Sequence, residues 1–401
     1  MSATSLTATL SVLAITASLL APLGAQDRPV LPDINTSSSP NGIVAMPENV
    51  PEVFKIFDRY TKVLAPNGKP IHIVIESGYT DRQAVYARKV LINHLTDVPG
   101  TKYGADKSPI ANSIADRNGV LALFYSTETL RMARARPFLR SVRTQDLREY
   151  ETILEGTEGY MRQTNPTRDA SYEEILHFVQ AQGIEPAAPE LSAALNEAFK
   201  EATEKDIYLL DSDFEYFICA LEAYYDMWRH DPEGDGTREE EYIPISRVAL
   251  KQHDPKAYEL IEQFFGPWWL YTAEIADEFE GTFSLTWQEG LTYTNKSQYL
   301  TKAALTGGND SNLVGNDEDN TLFGNDGDNE ISPLSGSDVI DGGAGTDTAV
   351  FRGASGDYAV RRNGQQIVVE DLNHARDGFN VLTDIERLRF ADRTIPTSEL
   401  Q

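Results

Sequence analysis

TGGNDSNLV, GNDEDNTLF, GNDGDNEIS, PLSGSDVID and GGAGTDTAV follow one another without a gap from Thr306 to Val350. The eighth place of the five rows holds Leu313, Leu322, Ile331, Ile340 and Ala349, and the sixth holds Ser311, Asn320, Asn329, Asp338 and Asp347. A nine-residue period in which Gly, Asn and Asp precede one aliphatic residue predicts a parallel β-roll. The small residues turn the chain, and the aliphatic opens a short strand that buries itself only against its neighbours. Ten acidic residues and no Lys or Arg lie between Thr306 and Asp347. Carboxylates stacked in register repel one another unless a hard cation sits between the turns, and Ca²⁺ accepts roughly six to eight oxygens in flexible geometry.

The rows resemble the RTX (hemolysin-type) calcium-binding repeats. The fit is best in GGAGTD, where Gly342, Gly343, Gly345 and Asp347 fall on the family's glycines and aspartate. In such a roll two rows make one full turn, so each ion sits between rows two apart. Asp338 then faces Asn320, and Asp347 faces Asn329. Asp317, Asp319, Asp326, Asp328 and the backbone at Gly343 and Gly345 complete the expected calcium ligands. Each site joins one strong ligand to one neutral oxygen, which predicts about two sites in the roughly millimolar-to-submillimolar range of extracellular modules. Beyond the rows, TAVFRGASGDYAVRRNGQQIVVEDL alternates and turns at Asn363-Gly364, which predicts a hairpin. With DGFNVLTDIERLRFAD it resembles the segment that closes RTX arrays, as a terminal repeat requires.

The whole chain has 401 residues, a net charge of −27 and a single cysteine, Cys219. The length allows two domains and a sizeable core. The charge argues against nucleic-acid binding, which needs a basic face. One cysteine excludes an internal disulfide framework and leaves any stapling to metal ions. At the N-terminus, residues 1–25 carry an apolar run ending in small residues, and resemble a secretory signal with cleavage expected after Ala25. The run lacks a basic start, and its Thr, Ser and Pro22 argue against an integral membrane segment. Residues 26–49, with PDINTSSSPNG, read as a linker.

Residues 50–290 read as one α+β unit. IHIVIES from Ile71 predicts a strand, and TDRQAVYARKVLINHL predicts a helix capped by Thr80 or Asp81. GVLALFYST predicts a second strand, followed by a helix from Glu128, and Glu149 to Met161 a hairpin turned near Gly156. Helices follow in SYEEILHFVQAQG, PELSAALNEAFKEATEK, DFEYFICALEAYYDMW and ISRVALKQHDPKAYELIEQFF. Strands first and helices afterwards suit an α+β domain. Residues 291–305 connect it to the roll at 306–351, and 352–401 form the β cap.

Within the helical part, Glu173 and His177 are four residues apart and share a helix face, with Glu174 beside them. Zinc peptidases use H-E-x-x-H because two ligands one turn apart can hold an ion while the glutamate between them accepts a proton. Here the first place is Glu. Ser171 and Glu174 also have the spacing of a capping box, a purely structural alternative. Glu215 opens the run Glu215-Tyr216-Phe217 thirty-eight residues after His177.

This order resembles the anthrax-lethal-factor-like gluzincin metallopeptidases over roughly Tyr150 to Phe265. The resemblance implies Glu173, His177 and Glu215 as Zn²⁺ ligands, Glu174 as general base and Tyr208, seven residues before Glu215, as the electrophilic helper. One His with two carboxylates is a harder set than zinc peptidases present, so it also fits another divalent ion or a domain that kept the fold and lost the chemistry. Asp231 to Gly236 has oxygens spaced like an EF-hand loop, but Tyr242 stands at the twelfth place and the stretch reads as a polar connection. No phosphate loop, dinucleotide fingerprint or G-x-S-x-G elbow occurs. The expectation is a secreted calcium-binding protein with a metallopeptidase-like front unit. Its partners are calcium and an extracellular surface or, if the front unit is active, a peptide or protein substrate.

Overall fold

β3 (Pro70–Ile75) and β4 (Val120–Phe124) are apolar without alternation, the pattern of strands covered on both faces. They lie at the centre of a five-stranded sheet in a computed structural model that describes residues 28–157, 169–210, 212–228, 238 and 240–400. The sheet order is β1 (Val44–Ala45), β2 (Arg59–Leu64), β3, β4, β5 (Thr144–Arg148). β1, β2 and β3 are antiparallel neighbours; β3, β4 and β5 are parallel. The parallel pairs are joined by helices, α1 (Asp81–Leu95) and α2 (Ser108–Asp116) in the first crossover, α3 (Thr127–Arg131) and α4 (Arg136–Ser141) in the second. Thr80 caps α1 in a reciprocal capping box with Gln83, as its sequence predicts.

One face of the sheet packs Val74, Val120, Ala122 and Phe124 against Phe54, Phe57 and Phe138. Leu31, Ile34 and Val50 join this layer, so residues 28–49 are part of the packed unit rather than the linker expected from their polar composition. The other face packs Ile73, Ile75, Leu121 and Leu123 against α1 and α5 (Ser171–Val179). α6 (Pro189–Glu204), α7 (Asp213–Tyr224), α8 (Arg247–His253) and α9 (Pro255–Phe265) follow. The last two break a stretch that reads as one helix, because Asp254 caps Ala257 and Pro255 starts a new first turn.

The hairpin expected from Glu149 does not form among the described residues. Glu149–Glu151 is a short 3₁₀ turn, and the backbone beyond it bonds elsewhere, with Ile153 donating to Asp169 and Glu155 accepting from Ala276. Met161, the leader at 1–25 and the loop Asp231 to Gly236 lie outside the described residues.

The nonapeptides wind between two sheets. β8 (Lys302–Leu305), β10 (Thr321–Phe323) and β12 (Ser337–Asp341) are parallel neighbours in one; β9 (Asn312–Val314), β11 (Glu330–Ser332) and β13 (Thr348–Val350) are parallel neighbours in the other. Leu322 pairs Ile340 and Leu313 pairs Ile331, so alternate rows feed alternate sheets. The winding also begins before the repeats. β6 (Ala273–Ile275) pairs β8 and β7 (Thr282–Ser284) pairs β9, although neither stretch carries the Gly/Asp period.

β14 (Tyr358–Asn363) and β15 (Gln366–Asp371) form the expected hairpin, turning at Gly364 and Gln365. β16 (Phe379–Thr383) then pairs β12, and β17 (Arg387–Arg389), edged by β18 (Thr394–Pro396), pairs β13. Two interior columns result, Ala273-Ala303-Leu322-Ile340-Leu382 and Phe283-Leu313-Ile331-Ala349-Leu388, all fully buried.

Turns of successive coils touch backbone to backbone. A Cβ on Gly324 would stand 2.1 Å from the Gly342 carbonyl oxygen. Gly324→Ala is therefore expected to destabilise the protein by about 1–3 kcal/mol, the usual range for overpacking, whereas Gly308→Ala, which meets nothing within 4 Å, changes little. Chemical denaturation of both variants checks this; equal midpoints would contradict the close packing of the coils.

Candidate metal centre

α5 and α7 bring together the residues singled out by spacing. The ligand atoms of Glu173, His177 and Glu215 all lie within 4.8 Å of one another. α5 buries Tyr172, Ile175, Leu176 and Val179 in the core, and Glu173 and His177, one turn apart, share the face that meets α7. Ser212 caps α7 and accepts from the Glu215 amide, fixing the first turn from which Glu215 projects. His177 Nε2 is buried without a hydrogen-bond partner and stands 3.7 Å from Glu215 Oε2. That separation is too long for a hydrogen bond. Two ligands about 2.1 Å from one tetrahedral ion stand about 3.4 Å apart. The three residues could hold a metal ion.

The charge around the imidazole is strongly one-sided. Glu174 Oε2 is 3.8 Å from Nδ1. Burial works against a charged ring, but the attraction of Glu174, Glu215 and Glu173 outweighs it and lifts the His177 pKa to about 9. Burial likewise raises Glu215, with His177 pulling the other way. A metal ion bound here would displace a proton from His177.

Glu174 and Tyr208 are placed differently from their expected roles. Ser171 is the first residue of α5 and bonds to Asp169, while Ala170 precedes the helix without a side-chain cap, so the capping-box alternative does not form. Glu174 instead reaches β5, accepting from Gln145 Nε2 and from Arg148 Nη2 at 3.4 Å. Arg148 also holds Glu151 at 2.8 Å, and Asp146 lies beside it. Burial raises Asp146 to about 6 and Glu151 to about 7, with Glu174 adding to both. Tyr208 is packed among Phe199, Tyr216 and Tyr242 and donates its one O–H to the Ser212 carbonyl at 2.7 Å. In this arrangement the phenol has no donor left for a substrate. Cys219 is a buried thiol whose pKa burial pushes up, a core residue rather than a ligand.

Arg238, Glu222, Gln145 and Arg148 surround this centre and carried no signal in the sequence. They come from a loop, a third helical turn and the edge strand, at no fixed spacing from His177.

In the winding, the sixth-place residues point inward and divide into two kinds. Asn320 accepts from the Asn316 amide and donates to Asn316 Oδ1. Asn329 does the same with Asn325 and also donates to the Ser311 carbonyl. Asp338 and Asp347 accept the amides of Asn320 and Asn329 at 2.8 Å through Oδ1, while Oδ2 of each is buried without a partner. Asn380, whose Oδ1 is also buried and without a partner, is the register neighbour of Asp338 on β16 and lies outside the nonapeptide repeats. Burial holds both aspartates up at about 7.

Asp317, Asp319 and Asp328 sit on the turns and accept from the next coil, at Ser335, Ser337 and Thr346. Asp326 is exposed on the same edge. Gly343 and Gly345 have positive φ, and an added Cβ on either would stand 2.5 Å from a carbonyl oxygen of the preceding coil.

Three histidines should titrate far apart. Burial, chiefly, lowers His72 to about 4 and His94 to about 3, while His177 is raised. NMR titration of metal-free protein is expected to show His72 and His94 neutral at pH 5 and His177 still protonated at pH 8. By linkage, the His72 and His94 contributions to stability are lost as pH falls below about 6.5, whereas the His177 contribution is complete below about 6.5 and lost as pH rises through 9. A His177 ring that titrates near 6.5 would contradict the anionic site. The chain matches no protein-family model and no curated protein.

Proposed function

We propose that this chain is a secreted metal-binding protein with two kinds of ion, a Zn²⁺ in a gluzincin-like front unit and Ca²⁺ in an RTX-type β-roll. The observation that carries the front-unit reading is the buried, partnerless Nε2 of His177 facing Glu215, with Glu173 completing the group. A buried imidazole nitrogen with nothing to bond is costly unless something ligates or protonates it. Zn²⁺ bound by one imidazole and two carboxylates would bring two positive charges to balance the two glutamates. Hydrolysis is not part of this reading, because Glu174 is engaged by Gln145 and Arg148 and the Tyr208 hydroxyl by Ser212. The front unit then serves binding or surface association.

Purified protein dialysed against trace metals in calcium buffer is expected to retain about one transition-metal ion per chain. His177→Ala and Glu215→Ala should each lose it while remaining folded. A wild-type protein with no stoichiometric transition metal would sink the front-site reading. The second reading, an active peptidase on exposed peptide segments, rests on Glu174 following Glu173 in the helix. It requires turnover of an unfolded protein that Glu174→Gln abolishes without changing metal content.

Calcium binding is supported by the partnerless carboxylate oxygens of Asp338 and Asp347 at the closing turns. Asparagine at either position keeps the hydrogen bond to the coil before and removes the charge. Millimolar Ca²⁺ is expected to raise the melting temperature of the wild type and to leave the Asp338→Asn, Asp347→Asn double variant unmoved, since a ligand stabilises only a state that binds it. Equal shifts in both proteins would reject these two residues as the ligands.

A further inference from the structure

His177 presents its two ring nitrogens to two carboxylates at nearly the same distance. Nδ1 stands 3.8 Å from Oε2 of Glu174, and Nε2 stands 3.7 Å from Oε2 of Glu215. Both separations are too long for hydrogen bonds and short enough for charge to act across them. Distance does not decide which nitrogen offers its lone pair to an ion. The way each carboxylate is held does. Glu174 is tied to β5, with Oε2 accepting from Gln145 Nε2 and Oε1 from Arg148 Nη2 at 3.4 Å. Among the described residues nothing donates to the Glu215 carboxylate. Its oxygens are open to an ion, whereas those of Glu174 are committed to the strand.

From this we infer that Glu174 is a positioning residue that keeps the remaining ring proton of His177 on Nδ1 and so presents Nε2 as the metal-binding nitrogen. The inference rests on the metal reading of Glu173, His177 and Glu215. A neutral imidazole carries one proton, and the nitrogen without it is the one that can ligate. A fixed negative charge beside Nδ1 favours the proton there and leaves the Nε2 lone pair on the side of Glu215. The same charge makes the ring a stronger donor, because positive charge passed from the ion to the imidazole is met by the carboxylate. Glu174 thus orients a ligand from outside the ligand group instead of taking a proton from water. Gln145 and Arg148 hold Glu174 in turn, so control runs from β5 through Glu174 to the nitrogen that meets the ion.

The test uses the full chain loaded with Zn²⁺, reading affinity by chelator competition and the His177 nitrogens by ¹⁵N NMR. In the wild type the nitrogen shifted by zinc is expected to be Nε2, with a proton on Nδ1. Glu174→Gln is expected to lower zinc affinity by about 10–100-fold, the usual effect of groups that hold a ligand from outside. The loss persists at neutral pH, because a doubly charged ion gains more from Glu174 than the single proton it displaces. Gln145→Met should weaken zinc by a smaller factor in the wild type and by none in the Glu174→Gln background, since it acts through that carboxylate. Merely structural roles would leave zinc affinity unmoved or give losses that add, and either result overturns the inference. Zinc on Nδ1 in the wild type overturns it as well, and that measurement needs no variant to fold. A wild-type protein that holds no zinc would overturn the metal reading, and this inference with it.

Discussion

Lys296 carries its amino group into the interior, where it meets Asp169 at 2.8 Å and Glu155 at 3.3 Å and lies over the rings of Tyr86 and Tyr172, while burial pushes its pKa well below the usual lysine value. Removing a charge from water costs several kcal/mol, and only close opposite charges with hydrogen bonds offset it. Here the offset comes from a different part of the chain. Lys296 belongs to the segment that feeds β8, whereas Asp169 stands two residues before α5 and Glu155 bonds Tyr271, just ahead of β6. Asp169 also accepts from Tyr86 on α1 and Ser171 on α5. One buried amino group thus ties the winding, the crossover helix of the sheet and the helix bearing Glu173 and His177. None of these groups can move far alone without stranding a buried polar group.

The helix anchored in this way carries Glu173 and His177, and the charge around them sets what the group can bind. Glu173, Glu174 and Glu215 converge on one imidazole that burial would leave neutral. The carboxylates hold a proton on His177, and a metal ion in its place would bring more charge to the same partners. Arg148 lies against Glu174 and Arg238 near Glu173. The two glutamates adjacent in sequence are thereby drawn to different work. Only Glu173 remains grouped with His177 and Glu215.

What could be read from sequence followed the range of the forces involved. Thr80 and Gln83 cap α1 through contacts three residues apart, and the nine-residue period places Leu313, Leu322, Ile331, Ile340 and Ala349 inside because each row repeats one local conformation. The pairing of Glu173, His177 and Glu215 was legible for a related reason, since one helix turn and one second helix suffice to build it. Arg238 was not, because its three carboxylate partners lie at unrelated separations along the chain. Nor were β6 and β7, which join the winding through Ala273 and Phe283 without the turn residues that mark the later rows. Tyr208 had the right spacing, but spacing could not tell that the Ser212 carbonyl would take its proton.

The difference between Asn and Asp at one place in each row has the largest chemical consequence in the winding. An amide has both donors and acceptors, so Asn320 and Asn329 close rings with Asn316 and Asn325 and need nothing more. A carboxylate only accepts. Asp338 and Asp347 each spend one oxygen on the amide of the coil before, and the other is left buried with no donor to meet it. The Asn380 amide nitrogen donates to the Asp377 carbonyl, and its own Oδ1, an acceptor, is buried without a partner as well. A buried acceptor oxygen left without a donor costs about 1–3 kcal/mol unless a proton or a cation meets it. The early coils are therefore sealed by their own amides. The demand for an outside positive charge falls on the last coils, where the winding meets its cap.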